Sequence, residues 1–168
     1  MMTRTKFTLI IGFVLIFLSA SINRAGRCAD NEFTRPSLMN IEEISVLVES
    51  LRSEIKKEGL TREIIKSEVE SSLRQAGIKV LSNAEGLWVP GKPYLYVNVN
   101  VFKSESYIYS ITIELHQDVS LIRDPNIKTD ASTWSKRYIG ISSKLADIRT
   151  HTRDMVTIFL NAYHSVNP

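Results

Sequence analysis

Alternation and helical periodicity divide this chain into a small number of elements. Ile44, Val46 and Val48 alternate with Ser45, Leu47 and Glu49, which predicts a strand. Leu47 makes the second face partly apolar, as suits a strand inside a sheet. Residues 52–59 are charged and read as a loop. In 61–76 the period changes: Ile65, Val69, Leu73 and Ala76 form one apolar stripe, while Arg62, Lys66, Glu70 and Arg74 lie off it. Thr61 can cap this helix, Glu63 complements the dipole of its first turn, and Gly77 can turn left-handed after its end. Ile78, Val80 and Leu81 then start a short strand.

Gly86, Pro90, Gly91 and Pro93 mark a loop over 82–93, with a single helical turn at 84–88. Two long alternating segments follow. Leu95, Val97, Val99 and Val101 share one face, and Tyr94, Tyr96, Asn98, Asn100 and Phe102 the other. After the connection at 103–106, Tyr109, Ile111, Ile113, Leu115, Val119 and Leu121 point one way. Ser110, Thr112, Glu114, His116, Asp118 and Ser120 point the other way. Such alternation predicts an antiparallel hairpin with one wet side. Residues 123–126 read as a turn and 131–138 as a last strand carrying Trp134, broken by 140–143. The helical period returns at Leu145, Ile148, Thr152, Met155, Phe159, Tyr163 and Val166, with Ser142 or Ser143 as the cap.

The element order is therefore β-α-β-β-β-β-α. The fold class expected is α+β, a two-layer sandwich in which both helices cover one face of a mostly antiparallel sheet. A right-handed crossover would set the first two strands parallel.

The N-terminus follows a different logic. Arg4 and Lys6 precede an apolar run over 7–18, and Ser19, Ala20 and Ser21 follow. A basic start, a short apolar run and a small-residue exit are the parts of a secretory signal. The run falls short of the ~30 Å hydrocarbon core of a membrane. Residues 1–20 are thus read as a signal peptide, 21–40 as a flexible leader and 41–168 as one α+β domain. Export to the periplasm or the medium follows. The membrane enters only if the first segment is retained or Cys28 is acylated. Arg27, directly before that cysteine, is unlike a lipoprotein signal, and a lone cysteine has no internal disulfide partner.

Composition changes this picture little. The 168 residues are 43% apolar and 23% charged, as in ordinary globular proteins. Without Arg4 and Lys6 the basic and acidic residues nearly balance, which gives no reason to expect nucleic acid as a partner.

Two groups on the wet side carry candidate chemistry. Glu114, His116 and Asp118 stand at i, i+2 and i+4 of one strand, so they share a face and can serve a small ligand, a metal or acid–base work. Neighbours on one flat strand lie about 6.6 Å apart and converge poorly on an ion, and a solvated polar face explains the same residues. Tyr94, Tyr96, Asn98 and Asn100 combine aromatic area with adaptable amides, good material for contact with a protein partner. Cross-strand pairing explains them equally. His151 and His164 lie off the apolar stripe of the last helix and read as solvated. Trp88 and Trp134 read as packing residues. No phosphate-cradling loop, nucleophile elbow, cysteine pair or zinc-protease helix occurs in the sequence, so no enzyme class and no cofactor is expected.

Leu60-Thr61, the run Leu73-Arg74-Gln75-Ala76-Gly77-Ile78 and the run Pro93-Tyr94-Leu95-Tyr96-Val97-Asn98-Val99 resemble an uncharacterised family of small exported bacterial proteins. Leu121-Ile122-Arg123-Asp124-Pro125, Ala131-Ser132-Thr133-Trp134 and the ending Val166-Asn167-Pro168 extend the likeness. The order of elements also looks, more remotely, like lipopolysaccharide-assembly lipoproteins and transporter-auxiliary lipoproteins. The resemblance brings no activity with it. The alternating Tyr/Asn side and the two-layer build lead to the expectation of an exported, non-catalytic accessory protein of the cell envelope that meets a protein partner through the exposed sheet face or edge. The alternative is a small-ligand or metal-binding module built on Glu114, His116 and Asp118.

Overall fold

Strand β1 (Glu43–Val48) lies inside the sheet, as its two-sided apolar character requires. A computed structural model describes residues 29–168, so the segment read as a signal peptide and Cys28 lie outside the described residues. The other elements are α1 (Ser53–Lys57), α2 (Arg62–Gln75), β2 (Lys79–Leu81), α3 (Asn83–Gly86), β3 (Tyr94–Lys103), β4 (Tyr107–Leu121), β5 (Asp124–Ser142) and α4 (Leu145–His164). The sheet order is β2-β1-β3-β4-β5. β1 runs parallel to both β2 and β3. The long ladders β3–β4 and β4–β5 are antiparallel, which makes the sheet mostly antiparallel. The α+β expectation, with five strands and the two long helices on one face, describes the molecule.

α2 forms where its cap and stop signals place it. The Thr61 hydroxyl accepts the Ile64 N–H at 3.3 Å. At the other end Gly77, at φ +84°, lets its own N–H reach the Arg74 carbonyl and the Ile78 N–H reach that of Leu73. Those two bonds satisfy carbonyls that the helix end would otherwise orphan, and buried Ile78 and Leu73 close the turn with an apolar contact. Ile65, Val69 and Leu73 of α2 join Ile148, Met155, Val156 and Phe159 of α4 over Val46, Leu95, Val97, Ile111 and Ile113. Trp134 is fully buried and meets Phe159 edge to face, with centroids 5.2 Å apart.

Several expectations are corrected. The segment read as a charged loop contains α1, whose single apolar side chain, Ile55, is fully buried. One apolar residue among charges shows no period. The helical turn after β2 starts earlier than expected, because Ser82 and Glu85 form a reciprocal capping box. The β4–β5 turn is at Ile122-Arg123, and β5 already begins at Asp124. β5 also runs through Gly140 to Ser142 instead of breaking there. Ser142 does not occupy the cap position of α4, which falls to Lys144, but its hydroxyl accepts the Lys144 N–H at 3.0 Å. Trp88 is 88% exposed and packs no core.

Residues 29–40, read as the end of a flexible leader, are tied down. Ala29 forms a parallel bridge to Ser135 at the edge of β5. Asp30 accepts from Arg35 at 2.8 Å and from the Trp134 indole N–H at 3.2 Å. A short 3-10 turn, Arg35–Leu38, then buries Leu38 completely. The C-terminus holds this strap: the Asn167 amide donates to the Leu38 carbonyl at 2.9 Å, and the Tyr163 hydroxyl to that of Ile41 at 2.8 Å. Strand and helix periodicities do not register an irregular strap of this kind.

Candidate functional site

With both long helices on the inner side, the outer side of β3, β4 and β5 stays half-buried or exposed. α3 covers one corner only, where Gly86 rests on Ser45: a Cβ at Gly86 would stand 3.0 Å from the Ser45 hydroxyl oxygen. The register of β3 and β4 sets Tyr94 opposite His116 and Tyr96 opposite Glu114. The two groups singled out in the sequence are therefore one cluster.

Their rings and polar atoms meet. The Tyr94 and His116 rings stack with centroids 5.0 Å apart and planes 23° from parallel, and Tyr96 lies tilted at 5.7 Å from His116. His116 contacts Asp130 through Nδ1 at 2.7 Å and Glu114 through Nε2 at 3.2 Å. Tyr94 donates to the same Asp130 oxygen at 3.3 Å. From Tyr96 an amide row runs along β3: Asn98 donates to the Tyr96 oxygen at 3.2 Å, and Asn100 to Asn98 at 2.9 Å. The Tyr96 hydroxyl in turn donates to Glu49 at 3.3 Å.

Asp130 is the residue that sequence reasoning missed, and the reason is a β-bulge. Leu115 pairs with Trp134 but His116 pairs with Ser132, so Thr133 is an extra residue on β5. In a regular strand Trp134 and Asp130 would share a face. One extra residue reverses the phase, leaving Trp134 in the core and Asp130 beside His116. No alternation count over 131–138 signals this. Asp118, expected beside His116, instead pairs with Lys92 at 3.0 Å.

Electrostatics follow from these contacts. Burial opposes a charge on His116, but the bonds to Asp130 and Glu114 outweigh it and hold the imidazole above its ordinary pKa. Burial first, then the Asp130 carboxylate, push the Tyr94 phenol up to about 12. Tyr96 is raised as well, chiefly by burial. With both His116 nitrogens engaged, the ring must release a carboxylate before it can ligate or shuttle a proton. Among the described residues no group of three His, Cys, Asp or Glu side chains is placed to hold a metal ion.

No protein-family model matches this chain, and no curated protein matches it. Solved structures that the chain matches include the PelC dodecamer from Paraburkholderia phytofirmans, at 14% identity over 76% of this chain and 91% of that one, TM-score 0.46. A PelC variant from the same organism in another crystal form has 14% identity over 74% and 90%, TM-score 0.45. A minor lipoprotein from Acinetobacter baumannii has 7% identity over 76% and 91%, TM-score 0.23. No activity, assembly or partner passes from them to this chain.

Beside the cluster lies a cleft of about 280 Å³ whose lining includes Ser45, Leu47, Leu87, Lys92, Tyr94, Asp118 and Asp130. At the far end of the same face Phe102, Ile108, Ile139 and Ile141 are exposed, the two β5 isoleucines by 70% and 71%. Phe102 pairs with Ile108 and Ile108 with Ile141, so these side chains form one patch across three strands. Among the described residues no helix is long and apolar enough to cross a membrane.

Proposed function

We propose that this chain is an exported, non-catalytic accessory protein of the cell envelope that binds a protein partner through the outer face of its sheet. The observation that carries the reading is the make-up of that face. An apolar patch at Phe102, Ile108, Ile139 and Ile141 adjoins the row Tyr94, Tyr96, Asn98 and Asn100. Large apolar side chains exposed together across three strands mark contact surfaces, and tyrosines with amides supply area and adaptable bonds beside them. Export rests on Arg4, Lys6 and the apolar run at 7–18. The non-catalytic reading is supported by the sequence, which holds no nucleophile elbow, phosphate-cradling loop, cysteine pair or zinc-protease helix. A metal-binding role for Glu114, His116 and Asp118 is weakened because, among the described residues, no group of three His, Cys, Asp or Glu side chains is placed to hold a metal ion.

Affinity capture from envelope extracts tests the reading. Tyr96→Ala and Asn100→Ala should reduce recovery of the partner at least about tenfold if either is a hot spot. Asp154→Ala, on the exposed side of α4, should leave recovery unchanged. Equal recovery by all three variants would contradict it.

A further inference from the structure

Asp118 and Asp130 are direct partners across the β4–β5 ladder, and both line the cleft. Like charges directly opposite on one face repel. Lys92 answers Asp118, and His116 answers Asp130 through one oxygen, while the Asp130 side chain stays 46% exposed. Glu114 and Glu49 add negative charge along the same face. Leu47, 40% exposed, Leu87, 63% exposed, and the Tyr94 ring supply apolar and aromatic lining, and Ser45 and Asn83 add neutral polar groups.

Size limits the occupant. At about 280 Å³ the cleft stands at the small end of the ~300–1,000 Å³ range of ligand pockets. It suits a single long side chain. The walls call for an aliphatic stem and the paired carboxylates for a cation. A planar guanidinium can bond two carboxylates at once and lie on an aromatic ring, which an ammonium point charge does less well.

We propose that this cleft receives an arginine side chain of the protein partner, its guanidinium taking the place of the Lys92 ammonium at Asp118, reaching the second oxygen of Asp130 and lying against Tyr94, its stem on Leu47 and Leu87. This rests on the partner-binding reading above and names the chemistry that the partner must present at this corner.

The test is an NMR titration of the purified protein with Nα-acetyl-arginine amide, the neutral isostere Nα-acetyl-citrulline amide and Nα-acetyl-lysine amide. The arginine probe should give saturable shifts at Leu47, Leu87, Asp118 and Asp130 with a Kd on the order of millimolar, and the citrulline probe should bind at least about fivefold more weakly. Asp130→Asn should weaken arginine binding by a similar factor. Leu87→Ala, a change at an exposed side chain, provides a second variant that should also weaken it should Asp130→Asn disturb the fold. Shifts that do not saturate, or arginine and citrulline binding alike, would overturn the proposal. Tighter binding of the lysine probe would overturn the guanidinium assignment. Loss of arginine binding alongside intact Tyr96-dependent partner capture would refute the cleft alone. Arginine binding with no partner captured would uphold the cleft as an arginine site and overturn the broader reading.

Discussion

Tyr109 and Gly140 face each other across the β4–β5 ladder, and the phenol of Tyr109 occupies the space in which a Cβ of residue 140 would lie. A Cβ built there would stand 2.6 Å from the phenol oxygen and 2.7 Å from Cζ. The hydroxyl also bonds the Nδ1 of His151 on α4, so the ring ties the sheet to the helix layer. Glycine at 140 is thus a packing requirement, and the ring that covers it lets β5 continue where a glycine would otherwise end a strand.

Gly140→Ala must displace that ring from a nearly fully buried site. The expected cost is about 1–3 kcal/mol, as for other overpacked interiors. A shift of the urea midpoint to lower concentration at unchanged slope would show it, and an unchanged midpoint would contradict it.

His116 predicts a pH dependence. Its folded pKa is raised above its ordinary value by Asp130 and Glu114, against burial. The stability it contributes is therefore fully present below the unfolded pKa of about 6.5 and is lost as pH rises through the higher folded value. Wild-type protein should lose stability relative to His116→Gln over that interval. NMR titration of the His116 ring should place its midpoint above 6.5 in the wild type and lower it in Asp130→Asn.

Asp30 behaves in the opposite sense. The Arg35 guanidinium holds its carboxyl below the usual range, against burial, and the Trp134 indole adds to the effect. Its contribution is present above the unfolded pKa and is lost as pH falls through the lower folded value. Asp30→Ala leaves the indole N–H of fully buried Trp134 without its acceptor, which should cost about 1–3 kcal/mol. Hydrogen exchange at Leu38 and Met39 should quicken in that variant, since the strap loses one of its ties to β5 while keeping the backbone bridge of Ala29 to Ser135 there.

Residues on the outer face should behave differently from these. Asn100→Ala should change stability by only about 0.5 kcal/mol, and Tyr96→Ala, which loses the ring contact to His116, by about 1 kcal/mol. Chemical denaturation checks this, and it is what qualifies both variants for partner capture.

The legible parts of the molecule are those in which one element contains its own signal. Thr61, the stripe Ile65-Val69-Leu73 and Gly77 sit within a single stretch, and α2 forms there with both ends closed by local bonds. β3 and the first two-thirds of β4 were equally plain, because strict alternation places Val97 and Ile113 in the core and Asn98 and Glu114 outside. Tyr94, Tyr96, Glu114 and His116 could be assigned to a face, though not to each other, since register across a hairpin is not written in either strand. The rest depended on contacts distant in sequence. Asp130 reaches His116 only through the extra residue at Thr133, α1 exists to bury Ile55, and the strap at 29–40 is held by Trp134, Tyr163 and Asn167.

The most direct test of the partner-binding face is site-specific photo-crosslinking in the native envelope, with the crosslinker placed at Asn100 on β3 or at Asp154 on α4. A discrete protein adduct should form from position 100, weaken with Tyr96→Ala, and be missing from position 154. Adducts from the helical side alone, or equal labelling from both positions, would mean that the open side of the sheet is not where this protein meets its partner.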